Sequence, residues 1–181
     1  MLLVVDNGSV YTPSLLNCMN ELHANYEHYT VSDLNMSSLD KYSAFILSGR
    51  RKNDPYMNAA NSKIIKHALR KEEPLLGICY GAEILALTLG GTLQKMTSSR
   101  QGLYQIEIKN DNPLINGKIQ VFESHSYMIS KLDSSFKILA SSSQCKFEFF
   151  CIENQNIFGT QFHPEMSQDG KTLLKNFISI Q

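Results

Sequence analysis

Pro74-Leu75-Leu76-Gly77-Ile78-Cys79-Tyr80-Gly81-Ala82-Glu83-Ile84-Leu85-Ala86-Leu87 joins a short apolar run to a helix-forming one through a cysteine that has a glycine two positions away on either side. This reads as a strand turning sharply into a helix with Cys79 at the corner, the setting of a nucleophile elbow. Gly77 and Gly81 leave room for the tight turn and for a substrate to approach the backbone. The helix that begins there offers its positive end to the thiol, which favours a reactive thiolate. A free cysteine is also often buried as a small hydrophobe. The pentapeptide alone leaves both roles open.

Far downstream, Phe158-Gly159-Thr160-Gln161-Phe162-His163-Pro164-Glu165 ends a strand-like run on a histidine and, two residues on, a glutamate. A cysteine nucleophile needs a base to take its proton, and the base needs an acceptor to fix its tautomer. His163 and Glu165 suit those two tasks. Pro164 biases His163 toward an extended conformation, so that the flanking side chains leave the strand end on the same side.

Working outward, Leu2 to Val5 is a continuous apolar strand, Ser14 to Leu22 has helical spacing, and Tyr29–Val31 and Ala44–Leu47 read as strands. Asp54-Pro55 reads as a helix cap followed by a first-turn proline. The buried stripe of that helix is Ile64, Ile65, Ala68 and Leu69, and Gly90-Gly91 ends the helix after the elbow. From Thr92 onward, short β-rich runs are expected at Leu103–Ile108, Ile119–Phe122, Phe136–Ala140, Phe147–Ile152 and Ile157–Phe162, before a helical stripe at Leu173, Leu174, Phe177 and Ile178. The pattern implies an α/β fold: a twisted, mostly parallel central sheet flanked by helices, with an added antiparallel portion. The active site of such a sheet lies at the carboxyl ends of its strands.

These motifs, together with Leu3-Val4-Val5-Asp6-Asn7-Gly8 and Ile46-Leu47-Ser48-Gly49, resemble a class I glutamine amidotransferase domain over essentially the whole chain, residues 1–181. The resemblance implies a flavodoxin-like arrangement and hydrolysis of L-glutamine to glutamate, with ammonia passed to a separate synthetase. It makes Cys79 the nucleophile that forms a thioester, His163 the proton shuttle and Glu165 the group that orients His163. It places the oxyanion hole at Gly49, Arg50 and Tyr80 and the substrate contacts at Glu83, Ser126 and Tyr127. It calls for no cofactor and no metal.

The chain departs from its relatives at two places. Where they commonly read Ser-Gly-Gly-Pro, this sequence reads Ser48-Gly49-Arg50-Arg51-Lys52. Any non-proline residue supplies a backbone N–H, but if position 50 requires a positive φ, arginine carries about 1–3 kcal/mol of strain. The basic run is expected as a solvated loop or as a dock for an acidic patch or nucleotide phosphate of the synthetase. At Glu83, relatives commonly carry glutamine. An ionised carboxylate there opposes thiolate formation, whereas a protonated one can mimic the amide. The remaining alternative is a first-turn glutamate serving the helix dipole.

The segments Glu123-Ser124-His125-Ser126-Tyr127, Phe136-Lys137-Ile138-Leu139-Ala140-Ser141-Ser142 and Cys145-Lys146-Phe147-Glu148 resemble the glutaminase subunit of two-chain GMP synthases, with an ATP pyrophosphatase-type synthetase as partner. His125-Ser126 is also similar to the His-Ser of anthranilate and aminodeoxychorismate synthase small subunits, where that segment holds the glutamine backbone. A third reading, suggested by Arg50 and Glu83, is a glutamine-binding regulatory subunit with little turnover. His125 itself reads equally as structural or catalytic.

Composition bounds these readings. With 181 residues and 43% hydrophobic content, the chain can bury a core without disulfides or metal. Lys+Arg and Asp+Glu both total 17, so no general charge draws it to nucleic acid or membrane. Cys18, Cys79, Cys145 and Cys151 have neither CxxC nor metal-ligand spacing, the start has no charged leader, and a reducing cytoplasm is expected. No apolar run approaches the roughly 20 residues of a membrane span.

Overall fold

The computed structural model describes residues 1–180. Nine strands and four α-helices follow in the order β1 (Leu2–Asn7), α1 (Thr12–Glu21), β2 (Tyr26–Thr30), β3 (Ala44–Arg50), α2 (Pro55–Lys71), β4 (Leu75–Ile78), α3 (Tyr80–Thr88), β5 (Thr92–Glu107), β6 (Lys118–Lys131), β7 (Phe136–Ala140), β8 (Phe149–Ile152), β9 (Ile157–Thr160) and α4 (Gln168–Ser179). Seven strands form one sheet in the order β2-β1-β3-β4-β9-β8-β7. The first five run parallel; β8 and β7 close the edge antiparallel. β5 and β6 make a separate antiparallel hairpin.

Alternation explains why β1 reads as an unbroken apolar run. Leu2 and Val4 enter a core on one sheet face with Leu15, Met19, Leu173, Leu174 and Phe177 from α1 and α4. Leu3 and Val5 enter the opposite core with Ile64, Ile65, Ala68, Ile84 and Leu85 from α2 and α3. A strand covered on both faces needs apolar residues at every position. Asp54 caps α2 by accepting from the Met57 N–H, with Pro55 in the first turn, as the sequence implied. No described helix is long and apolar enough to cross a membrane.

Two expectations change. The runs at 103–108 and 119–122 are only the inner part of a hairpin spanning Thr92–Glu107 and Lys118–Lys131. Its outer arm, Gln94 to Gln101, is polar and largely exposed, so alternation gives no signal there. The strand toward His163 stops at Thr160; His163 caps a 3-10 turn at Pro164–Met166 instead of ending a strand.

Candidate active site

Cys79 sits between β4 and α3 with φ 51° and ψ −103°. It is one of four non-glycine residues with positive φ among those described, a conformation that costs about 1–3 kcal/mol and persists only where surroundings enforce it. The Cys79 N–H donates to the Thr160 carbonyl at 2.7 Å, and the Cys79 carbonyl accepts the first helical bond from the Glu83 N–H at 2.9 Å. The glycines allow the close packing beneath: a Cβ at Gly77 would stand 2.5 Å from the Gly81 backbone, and one at Gly81 2.2 Å from the Leu47 carbonyl oxygen.

The Thr160 bond ties the elbow to the strand that leads to His163. The His163 N–H donates to the Phe122 carbonyl at 2.8 Å, which pins this turn to β6. His163 Nδ1 lies 2.8 Å from Glu165 Oε1, and both side chains are buried. A carboxylate at Nδ1 holds the proton there and leaves Nε2 free to accept one. The Tyr11 ring packs 4.5 Å from the imidazole, and a Cβ at Gly49 would approach His163 Cε1 to 3.0 Å. Tyr11 carried no signal in the sequence; it follows β1 in a polar loop.

Cys79, Tyr80, Arg50, Glu83, Ser126 and Tyr127 line one cavity of about 250 Å³, together with Arg51, Asn53, Ser124 and His125. His163, Glu165 and Gly49 do not line it. Tyr80 begins α3, so its N–H has no partner in the preceding turn, and its bond to the Cys79 sulfur favours the thiolate.

The structure places Arg50 at the end of β3, paired with Asn7 and Gly8 and without a positive φ, so the strain anticipated there does not arise. Its guanidinium stacks 4.2 Å from the Tyr80 ring centroid and donates to Asn53 and Asn58. Asn58 also accepts from the Tyr80 hydroxyl, which burial pushes up to about 12. Arg51 and Lys52 are exposed, as a solvated loop would be.

Electrostatics reverse a second expectation. The Cys79 thiol is held well above its ordinary value, by burial first, then by Glu83 and Glu165; the Tyr80 N–H and Arg50 oppose them. The helix terminus does not by itself produce a resting thiolate. Glu83 is buried, 5% exposed, which removes the reading of a solvated first-turn glutamate. Burial raises its carboxyl, countered by Arg50, by the 3.4 Å bond from Gln161 Nε2 and by His125.

Glu123, His125 and Glu148 bring potential ligand atoms within 4.8 Å of one another. The Arg100 guanidinium already stands among them, 2.8 Å from Glu123 and 3.3 Å from Glu148, and supplies the cation. Sequence reading missed Arg100 and both glutamates. Glu123 and His125, two apart on one strand face, were the available signal. The four cysteines are free and buried.

Residues 3–180 match the glutamine amidotransferase class-I family. A stand-alone subunit of glutamine-hydrolyzing GMP synthase from Pyrococcus furiosus is 31% identical, with 99% of this chain and 98% of the relative covered. A glutamine-hydrolyzing GMP synthase from Vesicomyosocius okutanii is also 31% identical, over 98% of this chain but 36% of the relative. The chain thus spans about a third of that longer relative and nearly all of the Pyrococcus furiosus one. The crystal structure of a GMP synthase subunit protein from Thermoplasma acidophilum superposes with a TM-score of 0.87 at 29% identity, covering 99% of this chain and 92% of that one.

Proposed function

The chain belongs to the class-I glutamine amidotransferase family, and from that premise we propose that residues 1–181 form one glutaminase domain that hydrolyses L-glutamine and delivers ammonia to a separate ATP-dependent synthetase, that of GMP synthesis. The observation that carries the reading is the strained Cys79 at the elbow, tied through Thr160 to a buried His163–Glu165 pair. Full-length likeness to the short Pyrococcus furiosus chain, against partial likeness to the longer synthase, supports a partner on another polypeptide. Four free cysteines fit a reducing cytoplasm.

In the proposed reaction His163 Nε2 takes the thiol proton while Sγ attacks the side-chain amide carbon. The Tyr80 N–H, with Gly49 and Arg50 at the neighbouring strand end, bears on the developing oxyanion. The proton passes to the leaving nitrogen, ammonia departs and a γ-glutamyl thioester remains. Water, deprotonated by His163, attacks the thioester; glutamate leaves and the sulfur recovers its proton. Ser126, Tyr127 and Glu83 line the space for the rest of the substrate.

Glu165 has one task here, to keep the Nδ1 proton of His163 in place. Glu165→Gln, which can present an N–H toward Nδ1 and favour the wrong tautomer, is expected to lower kcat by about 10²-fold or more with a small change in KM. Steady-state glutamate release measures it; full activity would remove Glu165 from the mechanism.

Glu83 opposes ionisation of Cys79. Removing an anion beside a thiol lowers the thiol's pKa, so Glu83→Gln is expected to shift the rising limb of the rate–pH profile toward lower pH and to raise turnover near neutrality. An unmoved profile would assign Glu83 to packing against Gln161.

The partner is tested by supplying a GMP-synthetase-type polypeptide with L-glutamine as the sole nitrogen source. GMP formation that requires this chain is expected. Glutamate release without amination by any such synthetase, but with amination of a chorismate-type acceptor, would redirect the assignment.

A further inference from the structure

The wall opposite the elbow contains a histidine whose two ring nitrogens both face acceptors. His125 Nδ1 lies 2.8 Å from the Tyr127 carbonyl oxygen, and Nε2 lies 2.8 Å from Glu123 Oε2. A carbonyl oxygen only accepts, so Nδ1 must carry a hydrogen. The other nitrogen faces a carboxylate whose second oxygen, Oε1, lies 2.8 Å from Arg100 Nη2, a group that only donates. That contact keeps Glu123 ionised and therefore accepting at Oε2. A neutral imidazole has one N–H and cannot serve both partners.

The same conclusion follows from the charges. Arg100, Glu123, His125 and Glu148 are all buried. Arg100 reaches His125 across the β5–β6 ladder, where the two are paired, and Glu148 arrives from the segment before β8. Glu83 faces His125 across the pocket from α3, and the Cys145 thiol lies beside Glu148 with its own ionisation suppressed by burial. Two carboxylates near one guanidinium leave an excess negative charge, which a protonated His125 cancels. Bonds to Glu123 and Tyr127 raise the imidazole against a burial effect in the opposite sense, and Glu148 is pushed up to about 7, chiefly by burial and Glu123.

We propose that the Arg100–Glu123 pair fixes His125 as a permanent imidazolium in the wall of the Cys79 pocket, and that this buried cation makes the pocket selective for an amide bearing a carboxylate. The inference rests on the glutaminase reading for the identity of that substrate, L-glutamine. Both ring nitrogens are occupied within the protein, so His125 is a positioning residue and not a catalytic one. Its Nδ1–H holds the Tyr127 carbonyl, and with it the Ser126–Tyr127 backbone at the pocket edge, while its charge acts through space. Arg100 and Glu123 act only through His125.

Two measurements on the full-length chain test this. Nitrogen-15 NMR of histidine-labelled protein should show both His125 nitrogens protonated at about pH 8, where an ordinary histidine, with a pKa near 6.5, is neutral. One protonated nitrogen at that pH overturns the proposal, and this arm needs no variant. The second arm is calorimetric titration in a Cys79→Ala background, which needs no turnover. L-glutamine should bind about tenfold more tightly than γ-aminobutyramide, which is glutamine without its carboxylate. Adding Glu123→Gln should erase that preference and leave γ-aminobutyramide binding unchanged. A preference that survives Glu123→Gln, or equal weakening of both ligands, overturns the proposal. Glutamine hydrolysis by the wild-type chain judges the glutaminase reading separately, because neither arm depends on it.

Discussion

Cys79→Ala is expected to lower glutamate release by about 10³-fold or more while leaving the thermal midpoint nearly unchanged. The rate effect is large because no other group near the pocket can take over. Cys18 and Cys151 lie outside it, and the His163 imidazole would be left with no thiol to deprotonate. The stability effect is small for a separate reason. The unfavourable φ at position 79 belongs to the backbone turn, and alanine carries the same penalty there. The sulfur itself receives only the Tyr80 N–H. Parallel measurement of initial rate and melting curve checks both halves. Residual activity above the water background would place the nucleophile elsewhere, and a collapsed midpoint would show that the thiol is a structural element.

Gly81→Ala should be among the most disruptive single-methyl changes in the chain. Its Cβ would stand 2.2 Å from the Leu47 carbonyl oxygen and 3.0 Å from the Leu47 Cβ. The nearest obstacle is backbone in the central strand β3, which cannot rotate away as a side chain can. Relief requires α3 to lift off the sheet, opening the core formed by Ile84, Leu85 and Ala86. Overpacking of a well-filled core costs about 1–3 kcal/mol and occasionally more; a clash against β3 backbone belongs at or above the upper end. Denaturant melts of wild type and variant report it. The same shift would move Cys79 relative to His163, so activity should fall even in the folded fraction. A variant as stable and active as wild type would mean that the elbow is looser than the structure shows.

The fold was legible where burial imposes a simple rule on sequence. β1, β3 and β4 are covered on both faces, so continuous apolar runs marked them, and the Asp54-Pro55 cap and Gly90-Gly91 stop bracketed the helices. The elbow was legible because few other structures need glycines on both sides of a cysteine between a strand and a helix. The β5–β6 hairpin was visible only at its packed inner end, since the outer arm buries little and shows no alternation. The His163–Glu165 pair was legible as a spacing, although a 3-10 turn, not an extended strand end, brings the side chains together.

Electrostatics were least legible, because they depend on which charged groups the fold desolvates together. On local pattern alone Cys79 has a favourable helix terminus; folding adds burial and two carboxylates that outweigh it. Arg50 looked like a steric problem in a turn. In the structure it is an ordinary strand residue whose guanidinium lies over Tyr80 and offsets Glu83. The Arg100–Glu123–His125–Glu148 group gathers residues from β5, β6 and the segment before β8, and no local pattern could have joined them.

A chloroketone analogue of glutamine, added to the chain and followed by peptide mass mapping, tests the central claim most directly. Cys79 should be alkylated, with Cys18, Cys145 and Cys151 untouched, L-glutamine should protect it, and glutamate release should fall in step with labelling. Alkylation at another cysteine, or release that persists after Cys79 is fully blocked, would contradict the assignment of Cys79 as the nucleophile.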